Sequence, residues 1–155
     1  MKINSPSFKH DSVITSKHTC DGESISPALH WEDVPAGTKS LVLIVSNPKP
    51  PNETPWTHWA IYNLPANCKS LSEDIKELPG EAQFATNSWG KHSYRGPCLP
   101  AGKYQYNFTL YALDGVLDIP TTITREGLIQ KMEGHILEEA LLVGRYERKN
   151  QSCNI

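Results

Sequence analysis

The sequence predicts one domain that is mostly β, with helices confined to its C-terminal part. Short apolar runs are separated by twelve prolines and ten glycines, which is typical of strands joined by ordered loops. Apolar residues spaced for one helical face occur only after residue 120. A length of 155 residues fits a single domain. Strands that come first and helices that come last favour a β-rich domain with helices packed at one side or end.

The first two strong strand signals lie in the first half of the chain. Residues 41–45, LVLIV, are apolar at every position, which indicates a strand buried on both faces. Residues 58–64, HWAIYNL, form the second expected strand. Because side chains alternate along a strand, His58 and Ala60 should share one face, and Trp59 should lie on the other face.

A third strand is expected over residues 104–113, followed by a turn at Asp114 and Gly115. Tyr104 and Tyr106 share one face of this strand. Their two hydroxyls could serve one ligand, but two tyrosines on a strand are also ordinary residues at the rim of a core. The pattern leaves both interpretations open.

Two helical segments are expected towards the C-terminus. Thr124 suits an N-cap, and Leu128 and Met132 are spaced for one buried face. Gly134 interrupts this segment. The second segment, HILEEALL at residues 135–142, places its apolar residues on one helical stripe.

Composition and motifs exclude several classes of protein. The formal charge of -2 gives no electrostatic basis for nucleic-acid binding. No apolar run approaches the roughly 18 residues of a membrane-spanning helix, and the N-terminus has no apolar signal segment. There is no P-loop, GxSxG, HExxH, dinucleotide fingerprint or zinc spacing. We therefore expect no cofactor, no metal and no enzymatic activity.

Four cysteines occur singly, at Cys20, Cys68, Cys98 and Cys153. Without an export signal we expect a cytoplasmic protein, in which thiols stay reduced. Free cysteines are often buried, so these side chains are expected to act as small hydrophobic groups.

A rigid corner, SNPKPP, follows the first of these strands. Pro48, Pro50 and Pro51 fix three φ angles and remove three hydrogen-bond donors, so the strand cannot continue. The corner is either one wall of a preformed pocket or a turn that merely redirects the chain. His58 comes soon after it. That histidine is either a satisfied, partly buried side chain or a binding group whose charge changes near pH 7.

Over nearly its whole length the chain resembles the phosphatidylethanolamine-binding protein family, most closely its bacterial Raf-kinase-inhibitor-like branch. The resemblance rests on ordered blocks, including TCDG…SPALHW, THWAIYNLP, NSWGKHSYRGPCLPAG and YNFTLYALD. It implies an antiparallel β-sandwich of two sheets with short C-terminal helices, in one domain over residues 1–155. It also implies a small pocket for phosphate-like anions, such as a phospholipid head group.

In the family the pocket is built from a DPDAP loop, a strand histidine, a GP-rich loop and an H-x-Y pair. The resemblance assigns these roles to His58, to Gly96 and Pro97, and to Tyr106. The candidate ligand-binding residues are Asn47, Lys49, Pro51, His58, Gly96, Pro97, Tyr104 and Tyr106.

The chain departs from the family pattern at the corner and at the H-x-Y pair. Asn47 and Lys49 stand where the family has acids, and Tyr104 stands where it has a histidine. Pro48 and Pro51 keep the shape of the corner. An inward Lys49 would strengthen phosphate binding, whereas the affinity of a lysine head for water favours an outward direction.

We expect non-enzymatic binding of a small phosphate-like anion: a phospholipid head group, a phosphometabolite or a phosphorylated side chain. The alternative is a protein-interaction or inhibitor module that modulates a kinase or protease and has a vestigial pocket. An enzyme with His58 as base is disfavoured because the family's acids are missing. The resemblance also allows a homodimer and a pairing of Cys20 with Cys98, against which cytoplasmic reduction argues.

Overall fold

The structure is a computed structural model, and it describes residues 1–48, 55–98 and 102–148. The described part contains nine strands, one α-helix and a short 3-10 turn. The strands are β1 (Lys2–Asn4), β2 (Ser12–Val13), β3 (Leu29–Glu32), β4 (Ser40–Asn47), β5 (Trp56–Pro65), β6 (Ser70–Leu71), β7 (Gln83–Phe84), β8 (Gly102–Leu113) and β9 (Ile136–Arg148). The 3-10 turn spans Ser16–His18, and the helix, α1, spans Arg125–Met132.

The strands form two sheets, as the resemblance implied. The large sheet has the order β2-β9-β8-β4-β5-β7, and the small sheet has the order β1-β3-β6. Neighbouring strands are antiparallel, except that β2 runs parallel to β9. The mostly-β fold class is confirmed.

Strand β4 lies at the centre of the large sheet and is buried along its whole length. Leu41 and Leu43 face the small sheet, where they join a cluster that includes Trp31 of β3. Val42 and Ile44 face the other way, into a cluster closed by α1. The prediction of a strand buried on both faces is confirmed, because this strand has one packed layer on each side.

Helix α1 agrees with its sequence signal. The hydroxyl of Thr124 caps it by accepting a hydrogen bond from the Gly127 N–H at 3.3 Å. Leu128 and Met132 are fully buried against the outer face of the large sheet. The helix therefore covers the outer side of β4 and β5.

The second expected helix is wrong, because residues 136–148 form strand β9. This strand pairs with β8 from one end to the other, from Gly102 opposite Arg148 to Leu113 opposite Ile136. In its middle the burial alternates: Ala140 and Leu142 are buried, whereas Leu141 is 48% exposed. A short apolar run fits both periods, and the long edge of β8 selects the strand.

Candidate functional site

A β-bulge places His58 at the centre of the candidate site. Val45 of β4 pairs with Trp59 of β5, and the next residue, Ser46, pairs with Thr57. His58 is therefore an extra residue on β5, without a partner position on β4. Alternation predicted that His58 would share the face of Ala60. The bulge instead turns its ring inward, against Tyr106. That part of the prediction is wrong because simple alternation takes no account of bulges.

His58 is held in one orientation by its neighbours. It is 2% exposed, and its Nδ1 lies 2.7 Å from the carbonyl oxygen of Arg95. A carbonyl only accepts, so Nδ1–H is the donor. The imidazole meets Trp89 and Tyr106 edge to face, with centroid distances of 5.0 and 4.8 Å. These contacts fix the plane of the imidazole and the direction of its Nδ1–H.

Tyr106 carries a buried hydroxyl that has no hydrogen-bond partner among the described residues. Its side chain is 0% exposed. Burial raises the pKa of Tyr106 well above its usual range, and the nearby Tyr146 and Tyr104 raise it further. The group is therefore a neutral O–H at ordinary pH. Leaving such a group unpaired costs about 1–3 kcal/mol, which a ligand or a water molecule could recover.

A second tyrosine connects this cluster to a carboxylate. The rings of Tyr146 and Tyr106 meet edge to face at 6.1 Å, and the Tyr146 hydroxyl donates to Asp21 Oδ2 at 3.0 Å. Tyr104, which is half-buried, stacks on Tyr146 at 6.4 Å. Asp21 and Tyr146 were not predicted as site residues. The only local signal for Asp21 is its position in the TCDG turn.

The GP-rich loop packs tightly on that turn. Gly96 and Pro97 are buried, and the Gly96 N–H donates to Ser24 Oγ at 3.0 Å. A Cβ on Gly96 would lie 2.3 Å from the His18 carbonyl oxygen, so only glycine fits there. The Cys20 N–H donates to the Pro97 carbonyl at 3.1 Å.

A disulfide joins the same two loops. Cys20 and Cys98 are bonded across 78 residues, with their Cα atoms 5.3 Å apart. The expectation of reduced thiols is wrong for this pair, and the pairing that the resemblance left open is present. Cys68 is a free, half-buried thiol whose pKa is raised by burial. The cytoplasmic location stays a prediction, and the bonded pair of Cys20 and Cys98 gives it no support.

Two tryptophans and an arginine form the outer rim beside His58. Trp56, which is 37% exposed, stacks on Trp89 with a centroid distance of 5.2 Å and an interplanar angle of 8°. The Arg95 guanidinium lies 4.7 Å from the centre of the Trp89 ring. This rim places a cation and two aromatic faces next to the buried histidine. No sequence pattern singled out Trp89 or Arg95.

The remaining predicted residues lie at the corner. Asn47 ends β4, is 4% exposed and pairs with Trp56, two residues before His58. Lys49 and Pro51 lie outside the described residues, so the direction of Lys49 stays a prediction. Within the described part, no group of three or more His, Cys, Asp or Glu side chains is arranged to hold a metal. No helix there is long and apolar enough to cross a bilayer.

The fold and this site define a class of protein: a two-sheet β domain with a buried histidine and tyrosine beside a glycine-proline loop. A family model described as phosphatidylethanolamine-binding protein matches residues 4–147. The chain belongs to the phosphatidylethanolamine-binding protein family.

Relatives and solved structures agree with this assignment. A UPF0098 protein of Methanothermobacter thermautotrophicus is 43% identical, with 96% of this chain and 99% of the relative covered. A UPF0098 protein of Chlamydia pneumoniae is 42% identical, with the same coverage.

Two crystal structures are similar over most of their length. One is the phosphatidylethanolamine-binding protein homologue CT736 from Chlamydia trachomatis, with a TM-score of 0.87, 39% identity and coverage of 96% of this chain and 97% of that one. The other is E. coli YbcL, described as a member of the mammalian PEBP family, with a TM-score of 0.89, 27% identity and coverage of 96% and 98%.

Proposed function

We propose that the protein binds a small phosphate-like anion, without transforming it, between His58, Tyr106 and the GP-rich loop. The observation that carries this proposal is the buried Tyr106 hydroxyl, which has no partner among the described residues and belongs to a ring that meets the oriented ring of His58 edge to face. A phosphate oxygen is the acceptor that such a hydroxyl lacks. The imidazole of His58 adds a second polar group, held in place by the Arg95 carbonyl, that can contact the anion.

The charges around the cluster favour an anion. The Arg95 guanidinium places a permanent cation at the rim. Asn47 is neutral where the family pattern has an acid. The carboxylate of Asp21 accepts a hydrogen bond from the Tyr146 hydroxyl, which partly compensates its negative charge.

Binding without catalysis is supported by the orientation of His58. Its Nδ1–H donates to a neutral backbone carbonyl, which stabilises an imidazolium less than a carboxylate does. A histidine that acts as a general base usually has a carboxylate in that position. The arrangement therefore suits an oriented polar contact to an anion rather than proton transfer.

The ligand chemistry is a phosphate group, and it has two sources: a phospholipid head group or a free phosphometabolite. The experiment is an NMR titration of the labelled protein with inorganic phosphate, phosphoethanolamine and a short-chain phosphatidylethanolamine. We expect saturable amide shifts confined to residues 56–59, 94–98 and 104–107. A preference for the lipid over phosphoethanolamine indicates a membrane-derived ligand, and the reverse preference indicates a metabolite.

Matched variants test whether the shifts belong to this site. We expect His58→Ala and Tyr106→Phe to weaken binding. His135→Ala and Tyr111→Phe, which change the same residue types away from the cluster, leave it intact. No localised shift with any probe up to about 20 mM, well above the Kd of a weak site, would overturn the proposal. That outcome would favour the protein-interaction role.

A further inference from the structure

The disulfide joins the two loops that lie beside the candidate site. Two loops border the His58–Tyr106 cluster: the first loop, residues 16–26, and the second loop, residues 93–98. The bond between Cys20 and Cys98 is a covalent link between them, across 78 residues of sequence. It therefore restricts the relative motion of two segments that the chain itself connects only at long range.

Each loop supplies a group that orients the cluster. From the first loop, Asp21 accepts a hydrogen bond from the hydroxyl of Tyr146, whose ring packs against Tyr106. From the second loop, the Arg95 carbonyl accepts Nδ1–H of His58. Cys20 and Cys98 lie one and three residues from these groups. The link thus ties together the two supports of the histidine and the tyrosine.

Hydrogen bonds between the loops keep the cysteines in register. The Cys20 N–H donates to the Pro97 carbonyl, the Gly96 N–H donates to Ser24 Oγ, and the Tyr94 hydroxyl donates to the His18 carbonyl at 2.7 Å. At Gly96 the two loops pack so closely that a Cβ would overlap with the His18 carbonyl oxygen. In the reduced protein, re-formation of these contacts would bring the two thiols together again, so that oxidation regenerates the same pair.

The two cysteines differ in exposure. Cys98 is an exposed residue, whereas Cys20 is half-buried. Attack by a thiolate from solution is therefore expected at Cys98, with the thiolate of Cys20 as the leaving group. Access at this end of the bond permits exchange with an external dithiol while the fold stays intact.

We propose that Cys20 and Cys98 form a reversible thiol–disulfide exchange site that controls the order of the two loops beside the candidate site. One thiolate of a dithiol reductant attacks Cys98 Sγ, forming a mixed disulfide and releasing the Cys20 thiolate. The second thiol of the reductant then attacks its own sulfur in the mixed disulfide and releases Cys98. The protein gains two electrons and two protons, and the reductant becomes a cyclic disulfide.

The consequence for binding rests on the proposed function. In the oxidised protein the loops are held in the binding arrangement. In the reduced protein that arrangement is populated for only a fraction of the time, and the apparent Kd rises by the inverse of that fraction. A fraction between a half and a tenth weakens phosphate binding about 2- to 10-fold.

The test uses the full chain with Cys68→Ser and Cys153→Ser, so that Cys20 and Cys98 are its only cysteines. It compares this protein in the oxidised state and after reduction with dithiothreitol. Hydrogen exchange followed by mass spectrometry reports the order of the loops, and titration with inorganic phosphate reports binding. We expect amides of residues 19–25 and 94–98 to exchange about tenfold faster after reduction. We expect oxidation to restore both the slow exchange and the affinity, and Cys98→Ser to behave like the reduced protein.

The outcomes separate this inference from the proposed function. Equal loop exchange in the two redox states would overturn the redox inference, as would alkylation of both cysteines in protein kept oxidised. Faster loop exchange after reduction, with no phosphate binding in either state, would support the redox inference and remove the proposed function. Because the reduced wild-type pair is measured as well, the result does not depend on the folding of Cys98→Ser.

Discussion

Two buried tyrosines on opposite faces of the large sheet have different surroundings. Tyr62 of β5 lies on the outer face, is 2% exposed and donates its hydroxyl to the Ile119 carbonyl at 3.2 Å. Tyr106 of β8 lies on the inner face, is 0% exposed and has no hydrogen-bond partner among the described residues. The same type of residue is part of a satisfied core on one face and of a candidate binding site on the other.

This contrast indicates that the outer face of the large sheet contributes mainly to stability and that the inner face near His58 contributes to binding. The outer face beneath α1 is packed and the Tyr62 hydroxyl there is paired, so changes there should reduce stability and leave binding intact. The inner face near His58 contains a bulge and a buried hydroxyl without a partner in the described part of the chain. Changes at these polar side chains should alter binding more than stability, whereas the nearby disulfide should contribute to both. Five predictions test this division, from the largest expected effect to the smallest.

The largest effect is expected from the core beneath α1. Leu128→Ala removes a fully buried side chain and should lower the free energy of unfolding by about 2–5 kcal/mol. Urea denaturation measures it. Leu137→Ala, at a leucine that is 45% exposed, is the matched control and should change stability by about 0.5 kcal/mol or less. Equal losses would contradict the assignment of the core.

Removing the disulfide should have the next largest effect. The double change Cys20→Ser and Cys98→Ser should cost about 2–4 kcal/mol, because the bond closes a loop of 78 residues in the unfolded chain. Urea denaturation of the variant and of the oxidised protein gives the difference. Cys68→Ser serves as control, since Cys68 is a free thiol. A double variant as stable as the oxidised protein would refute the stabilising role of the bond.

Alkaline pH should destabilise the protein through Tyr106. Burial raises the pKa of this group, so the folded hydroxyl keeps its proton above about pH 10, where an unfolded tyrosine loses it. Unfolding then releases a proton, and Tyr106 should contribute a loss of up to about 1.4 kcal/mol per pH unit above that point. Its contribution to stability is complete below about pH 10. Denaturation curves should show a shallower alkaline decline for Tyr106→Phe, and an unchanged slope would contradict this.

The two tyrosines should respond oppositely to loss of their hydroxyls. Tyr62→Phe removes a hydrogen bond and should cost about 1 kcal/mol without changing phosphate affinity. Tyr106→Phe should leave stability unchanged or slightly raised, because it removes an unpaired polar group. It should weaken phosphate binding about tenfold, equivalent to about 1.4 kcal/mol. Denaturation measures the stability of both variants, and calorimetric titration measures their affinity for phosphate. Equal losses of stability in the two variants would contradict the prediction.

The smallest effect concerns the imidazole of His58. Its ring packs edge to face on Tyr106, and glutamine keeps a polar side chain at this position without the ring. His58→Gln should therefore weaken phosphate binding severalfold, less than the loss of about tenfold expected for Tyr106→Phe. Calorimetric titrations at one pH measure both variants, and the exposed His135→Gln should match the wild type. Unchanged affinity in His58→Gln would remove His58 from the site.

Much of the fold could be predicted from local pattern. The continuous apolar run in β4 requires packing on two faces, and it is buried on both. Thr124 and the spacing of Leu128 and Met132 specify α1, because capping and helical periodicity are local properties. The assignment of His58, Gly96, Pro97 and Tyr106 to one region came from resemblance to the family.

Other features depend on partners that are distant in sequence. Residues 136–148 fit a helix or a strand, and the long edge of β8 decides in favour of β9. The ladder between β4 and β5 creates the bulge that turns His58 inward, which a period of two cannot predict.

The sequence by itself determined the β-rich class, the central buried strand, the C-terminal helix and the chemical types of side chain available for an anion. Only the tertiary structure decided which of them meet. It joined Cys20 to Cys98, brought Asp21 to Tyr146 and left the Tyr106 hydroxyl buried without a partner among the described residues. The physical reason is range. Propensity and periodicity act over a few residues, whereas these contacts join segments about 80 to 125 residues apart, which only the packed sheets bring together.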